Sequence, residues 1–305
     1  MAAERRDVEF KTVDGLTLRG WLFLGPKGGP AVVVNGAFNS PREIFVAAVA
    51  KWFGEHGVTA LVYDARSLGL SDGLPRNDLD PQKITEDNHD AVTFLQDSGH
   101  VDPGKIAIWG FFYSSLIALE AAAFDPRVKA VISQGLMPEW TLDPAQQPSI
   151  IASAIQDRAA QLRGKPPTYI PLLNEAGDHM THFTYLAALT PEQKTHLRAW
   201  VPAAQKIAPS FRPEMTLQSL YRHAKWRPLS LLQASGITTP VMVLTPENDE
   251  MVDPGYQKKI FDGFASGLKR YEVIPDVGHL DFLAKVEFDR LLGGQLEFLK
   301  EAMEF

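Results

Sequence analysis

The sequence predicts an α/β protein with a mostly parallel sheet, an antiparallel beginning and an inserted helical cap. Short apolar runs rich in Val and Ile alternate with stretches of helical period over most of the 305 residues. Runs of this kind suit strands buried on both faces, and helices between them act as crossovers between parallel strands. One long stretch, residues 137–232, interrupts the alternation.

The antiparallel beginning is predicted from residues 8–24. Apolar and polar residues alternate on either side of Asp14-Gly15, a dipeptide suited to the positive φ angles of a tight hairpin turn. Alternation with a period of two residues places one face of a strand pair against a core. We therefore expect two antiparallel strands in this segment.

Six later apolar runs, each bounded by turn residues, predict the buried strands. They are PAVVVNG (30–36), TALVYDA (59–65), KIAIWG (105–110), VKAVISQG (128–135), PVMVLTP (240–246) and RYEVIP (270–275). Because strand–helix alternation resumes after Pro240, we expect the interruption to be a cap inserted into one sheet rather than a separate helical domain. Residues 1–136 and 233–305 then form the core, and residues 137–232 form the cap.

The predicted cap consists of amphipathic helices without a buried-strand signal. It contains three of the six tryptophans, Trp140, Trp200 and Trp226, together with many other apolar residues. An apolar lid over the strand ends predicts a pocket for a hydrophobic small molecule. Trp140 and Trp226 are candidates for the pocket lining, although aromatic residues more often pack in the core.

The composition excludes several kinds of chemistry. There are no cysteines, so disulfides, thiolate nucleophiles and Cys-ligated metal sites are ruled out. The chain carries 30 Lys+Arg against 37 Asp+Glu, a formal net charge of −7, and no basic cluster of the kind that neutralises phosphates. A nucleic-acid partner is therefore not expected.

The sequence also predicts a protein that does not enter a membrane. No apolar stretch approaches the ~18 residues that a spanning helix needs. The two arginines near the N-terminus have no apolar segment behind them, so a secretory signal is not expected either. We expect a cytoplasmic protein. Its oligomeric state stays open at this point, and a homodimer is one of the alternatives.

No cofactor or metal is expected. His179 and His182 have a spacing seen in metal sites, but zinc needs three or four ligands and no third is apparent nearby in the sequence. The loop NGAFN (35–39) lacks both G-x-G-x-x-G and the lysine of a phosphate-binding loop. Asp87 falls in a predicted helix, where we expect it on the solvated face.

The most informative segment is KIAIWGFFYSSLIALEAAAFDPRVKAVI, residues 105–132. An apolar strand ends at Trp109-Gly110, an Ala-rich helix begins within a few residues, and the next strand follows a short turn. With DGLTLRGWL (14–22) and YDARSLGLSDGLPRND (63–78), this arrangement resembles the α/β-hydrolase family, whose elbow is G-x-S-x-G between strand and helix. It is most similar to the fungal branch encoded beside polyketide synthases, which includes polyketide transferases and product-releasing hydrolases.

The resemblance places Phe112 at the position of the nucleophile, between Gly110 and Ser114. A benzyl side chain has no lone pair and no ionisable proton, so it forms no acyl-enzyme. The elbow also holds this residue at positive φ, which a bulky aromatic tolerates poorly. The alternative is a slipped turn in which Ser114 or Ser115 acts as the nucleophile, which would rotate the first helical turn by about 200°.

The resemblance also implies a carboxylate and a histidine, in the chain order nucleophile, acid, histidine. Asp249 follows one buried strand and His279 follows the last strand. Such a pair acts as a general base, because the carboxylate fixes the imidazole tautomer and raises the basicity of the second nitrogen. The rival carboxylates are Asp253, Glu247 and Glu139.

The family's oxyanion site consists of backbone N–H groups, which here implies Tyr113 together with Ala37 or Phe38. The usual His-Gly of the second loop reads Asn35-Gly36. Because these donors belong to the backbone, loss of the serine side chain leaves them available to an enolate or alkoxide.

Three further side chains are expected near the strand ends. The Asn35 amide could orient its loop or contact substrate, and a structural hydrogen bond is the simpler use. Asp64 and Arg66 follow another strand, and an ion pair that shapes the loop is the simpler interpretation of both. Asn35 and Arg66 are therefore pocket candidates, as are Ser114 and Ser115.

Three functions follow from this pattern. The first is a cyclase- or lyase-type enzyme that uses the His279–Asp249 dyad for cyclisation, condensation, elimination or a pericyclic step on a polyketide-like molecule. The second is a hydrolase or acyl transferase that uses Ser114, Ser115 or a water activated by His279. The third is a ligand-binding protein without catalysis.

Overall fold

In the part of the chain that the structure describes, ten strands form a large mixed sheet and a small two-stranded one. They are β1 (Arg5–Lys11), β2 (Thr17–Phe23), β3 (Gly29–Asn35), β4 (Thr59–Tyr63), β5 (Val101–Phe111), β6 (Val128–Gln134), β7 (Tyr169–Pro171), β8 (Glu214–Thr216), β9 (Val241–Pro246) and β10 (Lys269–Ile274). The large sheet has the order β1-β2-β4-β3-β5-β6-β9-β10. This computed structural model describes residues 3–137, 139–175, 178, 190–279 and 288–305.

The predicted fold class is confirmed. The six strands β4, β3, β5, β6, β9 and β10 run parallel to one another, whereas β1 and β2 pair antiparallel and β2 runs antiparallel to β4. The hairpin register extends from Arg5 opposite Phe23 to Lys11 opposite Thr17. Its turn places Gly15 at a φ of 91°, a conformation open to glycine at little cost. The first strand begins at Arg5, earlier than the predicted start at residue 8.

Helices cover both faces of the large sheet. They are α1 (Val46–Glu55), α2 (Pro81–Asp97), α3 (Tyr113–Phe124), α4 (Gln147–Leu162), α5 (Pro191–Ile207), α6 (Leu217–Lys225), α7 (Pro228–Ser235), α8 (Pro254–Asp262) and α9 (Phe288–Met303). The helices α2 and α3 share one apolar cluster with alternate strand residues, and α1 and α9 share a second cluster with the remaining ones. The central strands are therefore buried on both faces, as continuous apolar runs predict.

The segment between β6 and β9 holds α4 to α7 and one feature that was not predicted. The strands β7 and β8 pair antiparallel, with Tyr169 opposite Thr216. Each has three residues, too few for an alternation that sequence could reveal. The cap boundaries at 137 and 232 stay a prediction, and α7 extends across the second of them.

Side chains and backbone groups join the segment between β6 and β9 to the loops after β3 and β4. The Asn39 amide donates to the Arg212 carbonyl oxygen at 2.9 Å and accepts from Asn77 Nδ2 at 2.9 Å. The Thr216 N–H donates to the Asn77 carbonyl oxygen at 3.1 Å. Arg222 of α6 donates to Asp78 Oδ1 at 2.6 Å. The segment between β6 and β9 is thus fixed to the loops that follow β3 and β4.

Asp87 is not on a solvated face, so that prediction is wrong. Its side chain is fully buried, and Arg66 Nε donates to Asp87 Oδ2 at 2.9 Å. Arg66 Nη1 also donates to Asp14 Oδ2 at 2.8 Å, which ties the hairpin turn to α2. Burial raises the pKa of Asp87 to about 6, against the opposing pull of the Arg66 guanidinium. The guanidinium of the pocket candidate Arg66 is therefore engaged in two ion pairs that support the fold.

We expect Arg66→Ala to lower the free energy of unfolding by about 3–5 kcal/mol, because it leaves the Asp87 carboxyl buried without its cation. Chemical denaturation measures the effect. The matched control is Lys300→Ala, which removes an exposed ion pair with Glu297 and should cost below about 1 kcal/mol. Arg66→Ala/Asp87→Ala should recover part of the loss, and an equal or larger loss would contradict this explanation.

Candidate active site

The sharp turn between β5 and α3 holds Phe112 at its tip. Phe112 has φ 50° and ψ −108°, and α3 begins at the next residue, Tyr113. Its N–H donates to the carbonyl oxygen of Gln134 on β6 at 2.9 Å. A Cβ on Gly110 would lie 2.3 Å from the Ser114 carbonyl oxygen, so glycine is required where the helix crosses back over the strand. An aromatic residue at positive φ is strained, and its surroundings must compensate.

The two serines that follow the turn direct their hydroxyls into the structure. Ser114 is 3% exposed, and its Oγ accepts from the Phe111 N–H at 2.9 Å and donates to the Asn35 carbonyl oxygen at 3.0 Å. Ser115 is fully buried, and its Oγ accepts from the Met137 N–H at 3.3 Å. Neither hydroxyl replaces Phe112 at the tip of the turn.

The Phe112 ring lies in a stack of aromatic groups. Its centroid is 3.6 Å from that of His279 with an interplanar angle of 18°, and 3.8 Å from that of Phe111 with an angle of 29°. Trp109 continues the stack beyond Phe111 at 5.8 Å. These contacts compensate for the strained backbone, and the benzyl group covers one face of the imidazole.

The His279 imidazole is hydrogen-bonded to Asp249. Its Nδ1 lies 3.1 Å from both Asp249 oxygens, and the exposed fractions of the two side chains are 2% and 0%. The carboxylate can only accept, so Nδ1 carries the hydrogen and Nε2 is left to exchange a proton. The His279 backbone N–H donates to Glu250 Oε2 at 2.7 Å.

Asp249 is itself held by the loop in which it lies. Its Oδ1 accepts from the N–H groups of Met251 and Val252, at 3.0 and 2.9 Å, and its Oδ2 accepts from Gln257 Nε2 at 2.9 Å. Gln257 is fully buried on α8, and its Oε1 accepts from the Thr245 hydroxyl at 3.0 Å. The sequence interpretation missed Gln257, whose position inside a polar helix gave no signal.

The rival carboxylates have other partners. Asp253 accepts from the N–H groups of Gly255 and Tyr256 as the N-cap of α8. Glu247 Oε2 accepts from the Asp276 N–H at 3.0 Å, and Glu139 Oε1 accepts from the Leu229 N–H at 3.0 Å. Asp249 is the one of these four carboxylates with a hydrogen bond to the His279 imidazole among the contacts described.

The predicted oxyanion groups lie at two neighbouring chain turns. Tyr113 is the first residue of α3, and the first N–H groups of a helix have no acceptor within the helix. Ala37 and Phe38 follow β3, which is paired with β5. The Asn35 amide Nδ2 donates to Asn88 Oδ1 at 2.8 Å, so this pocket candidate has a structural hydrogen bond. Asp64, which follows β4, ion-pairs with Arg42 in the loop after β3.

An aromatic cluster joins the two predicted oxyanion positions to the segment between β6 and β9. The Phe38 ring centroid lies 5.2 Å from that of Tyr113 and 4.5 Å from that of Trp140. His223 of α6, which the sequence interpretation missed, lies 5.5 Å from Tyr113 and 5.0 Å from Trp140. Trp226 lies 6.1 Å from Tyr113. We call these five side chains the aromatic cluster.

Trp226 also borders a polar cleft on its outer side. The cleft has a volume of about 340 Å³, and its lining includes Asp80, Arg158 and Arg222. Trp226 Nε1 donates to Glu120 Oε2 at 2.9 Å. Neither Phe112 nor His279 lines this cleft, so it is separate from the dyad.

The described residues contain neither a cluster of metal ligands nor a membrane-spanning helix. Within the described ranges, no three His, Asp or Glu side chains form a group that could hold a metal ion. His179 and His182 lie outside those ranges. No helix in the part of the chain that the structure describes combines the length and apolarity needed to span a bilayer.

Comparison with known proteins identifies the family. A family model of the α/β hydrolase fold matches residues 28–286. Over 99% of this chain and 98% of its own length, polyketide transferase ATR5 of Stachybotrys chlorohalonatus is 38% identical. A thiohydrolase of Eupenicillium brefeldianum is 39% identical over 98% of this chain and 94% of its length. The crystal structure of the α/β hydrolase GrgF from Penicillium sp. sh18 superposes with a TM-score of 0.86 at 36% identity, covering 99% and 100% of the two chains. The chain therefore belongs to the α/β-hydrolase fold family.

Proposed function

We propose that this protein is an enzyme of polyketide-type secondary metabolism that works by proton transfer and forms no covalent intermediate. The observation that carries the proposal is the Phe112 ring at the tip of the elbow, stacked on the imidazole of His279. The relatives named polyketide transferase and thiohydrolase support the choice of substrate class.

Covalent catalysis has no group to act through at this elbow. Phe112 carries no nucleophilic atom, and the hydroxyls of Ser114 and Ser115 are buried and bonded to backbone groups. A serine nucleophile must reach both the general base and the substrate carbonyl carbon. Reorienting either hydroxyl would leave backbone groups without partners in a buried region, which is costly.

General acid–base chemistry remains possible with the groups present. The Nδ1–H of His279 is directed at Asp249, so Nε2 carries the free lone pair. That lone pair lies in the plane of the ring, whereas Phe112 covers the face of the ring. Nε2 can take a proton from an acidic carbon and return it to a developing oxygen or a leaving group. Such a base supplies ~10²–10⁴-fold, and the low exposure of His279 strengthens its electrostatic interaction with Asp249.

The substrate class that fits is a hydrophobic β-ketoacyl compound, free or as a thioester. Its carbon between two carbonyls loses a proton readily, and the resulting enolate oxygen would be stabilised by N–H groups such as that of Tyr113. Next to this point the half-buried ring of Phe38 supplies apolar surface, and the buried rings of Tyr113 and Trp140 pack against it. Cyclisation, condensation and elimination all begin from such an enolate.

The test uses β-ketoacyl N-acetylcysteamine thioesters of increasing chain length, with products identified by mass spectrometry. We expect rearranged, cyclised or dehydrated products, and no mass shift of the intact protein with a fluorophosphonate. Release of free acid carrying ¹⁸O from labelled water would instead support hydrolysis by an activated water. A fluorophosphonate adduct on Ser114 or Ser115 would contradict the proposal, and binding without conversion would support a ligand-binding role.

A further inference from the structure

A hydrogen bond between two buried side chains joins the cap to the elbow. Tyr113 Oη lies 3.1 Å from His223 Nε2. Tyr113 directly follows Phe112 and begins α3, whereas His223 belongs to α6. The exposed fractions of the two residues are 4% and 0%, so water does not compete for this bond. The general base of the proposed reaction is His279, which leaves His223 without an assigned role.

The direction of this hydrogen bond follows from a second one. His223 Nδ1 lies 2.7 Å from the carbonyl oxygen of Ser219, which can only accept, so Nδ1 carries the hydrogen. In the neutral ring Nε2 is then an acceptor, and the Tyr113 hydroxyl donates to it. Burial lowers the pKa of His223 to about 4 and raises that of Tyr113 well above its usual range. Both groups therefore stay neutral near pH 7.

The same histidine packs against both predicted oxyanion positions. The ring centroids of Phe38 and Tyr113 lie 5.7 and 5.5 Å from that of His223. Phe38 and Tyr113 also contact each other edge to face, at 5.2 Å and 78°. Side chains packed to this density move little independently of the backbone that carries them. The cap thus contacts the two chain turns whose N–H groups are the candidate oxyanion donors.

We propose that His223 is a positioning residue, which holds Tyr113 and with it the first N–H of α3 in the orientation that an enolate oxygen requires. The claim that this N–H binds an enolate oxygen rests on the proposed function. The claim that His223 fixes the backbone of Tyr113 does not rest on it. His223 does not contact the reacting atoms in this proposal and acts only through Tyr113. The oxyanion site is then complete only when α6 packs against α3 as it does in this structure.

Three variants separate this role from simple packing. His223→Leu keeps an apolar side chain of similar size but removes the acceptor. His223→Gln keeps an amide oxygen that can accept from the Tyr113 hydroxyl. Tyr113→Phe removes the donor. The matched control is Tyr169→Phe, which removes another tyrosine hydroxyl bond from the cap to the core, to the Arg76 carbonyl oxygen at 2.9 Å.

The first measurement is the ¹H–¹⁵N amide spectrum of the labelled protein. We expect His223→Leu and Tyr113→Phe to shift or broaden the amide signal of residue 112, and His223→Leu to do the same to that of residue 113. His223→Gln should restore both signals, and the Tyr169→Phe control should leave them unchanged. Unchanged Phe112 and Tyr113 signals in folded His223→Leu protein would overturn the proposal. So would a failure of His223→Gln to restore signals that His223→Leu had moved.

The second measurement is turnover of the β-ketoacyl thioester with the highest wild-type rate. We expect His223→Leu to lower kcat by about 10- to 100-fold with KM changed less than about threefold, and His223→Gln to recover most of kcat. A rise in KM alone would assign His223 to substrate binding and contradict a positioning role. If the wild type converts no thioester, the proposed function fails, while the amide spectra still decide whether His223 positions Tyr113.

Discussion

We expect His279→Ala to lower the turnover of β-ketoacyl thioesters by about 10²- to 10⁴-fold, because in the proposed reaction it removes the atom that accepts and returns the proton. Nε2 of His279 is the basic nitrogen adjacent to the Phe112 ring, and Asp249 holds the tautomer that makes it basic. Without the imidazole, proton transfer falls to solvent. The loss should appear mainly in kcat, since the ring contributes its charge only as the reaction proceeds.

Asp249→Asn should reproduce most of this loss while leaving the volume of the side chain unchanged. The amide of asparagine would present a donor to Nδ1 or to Gln257 Nε2, so the imidazole would lose its fixed tautomer. Gln257→Leu is expected to have a smaller effect in the same direction, because the carboxylate keeps two backbone N–H donors.

The matched control for both variants is Glu247→Gln, which changes a carboxylate in the same loop without a hydrogen bond to the imidazole among those described. It should retain wild-type turnover. The decisive comparison is between the products and not only the rates. If His279→Ala forms the wild-type product at the wild-type rate, the reaction does not use this dyad.

The elements with the strongest periodicity were predictable from sequence. Five of the six apolar runs became the buried strands β3, β4, β5, β6 and β9, because continuous Val- and Ile-rich segments are stable only where both faces are covered. The sixth run, RYEVIP, became β10, but the prediction of a buried strand was wrong there, because β10 lies at the edge of the sheet and Ile274 is its one buried residue. Phe112 could be placed because glycine and strand boundaries fix the position of a tight strand-to-helix turn. The stacking of the benzyl ring on His279 could not be predicted from the sequence, because that contact joins residues 167 positions apart.

Contacts between polar residues that are distant in the sequence were harder to predict. Asp87 was expected in solvent, yet Ile84, Asn88, Ala91 and Leu95 place a buried stripe at helical spacing beside it. That spacing was a usable signal, but the compensating cation, Arg66, comes from a loop. His223 gave no signal at all, because a lone histidine on an amphipathic helix is compatible with solvent or core alike.

Phe112→Ser is expected to create a serine that reacts covalently with a fluorophosphonate, a reactivity that we do not expect of the wild type. The positive φ at residue 112, the start of α3 at residue 113 and the His279–Asp249 hydrogen bond are parts that a serine hydrolase also uses, and Oγ of serine would take the place of the Cγ atom of phenylalanine. Serine also relieves part of the strain of a bulky side chain at positive φ. Intact-protein mass spectrometry measures the adduct, and peptide mapping locates it.

The controls isolate the role of the new hydroxyl. Phe112→Ala opens the same space without a nucleophile and should stay unlabelled, although Ser114 and Ser115 remain. Phe112→Ser/His279→Ala should react at least about 10²-fold more slowly, because the hydroxyl has lost its base. Phe112→Ser and Phe112→Ala should lose stability to a similar extent, since each removes the ring that stacks on Phe111. Labelling of Phe112→Ala would assign the reactivity to another serine. A folded Phe112→Ser protein that resists the probe would mean that the elbow has lost hydrolase geometry along with its nucleophile.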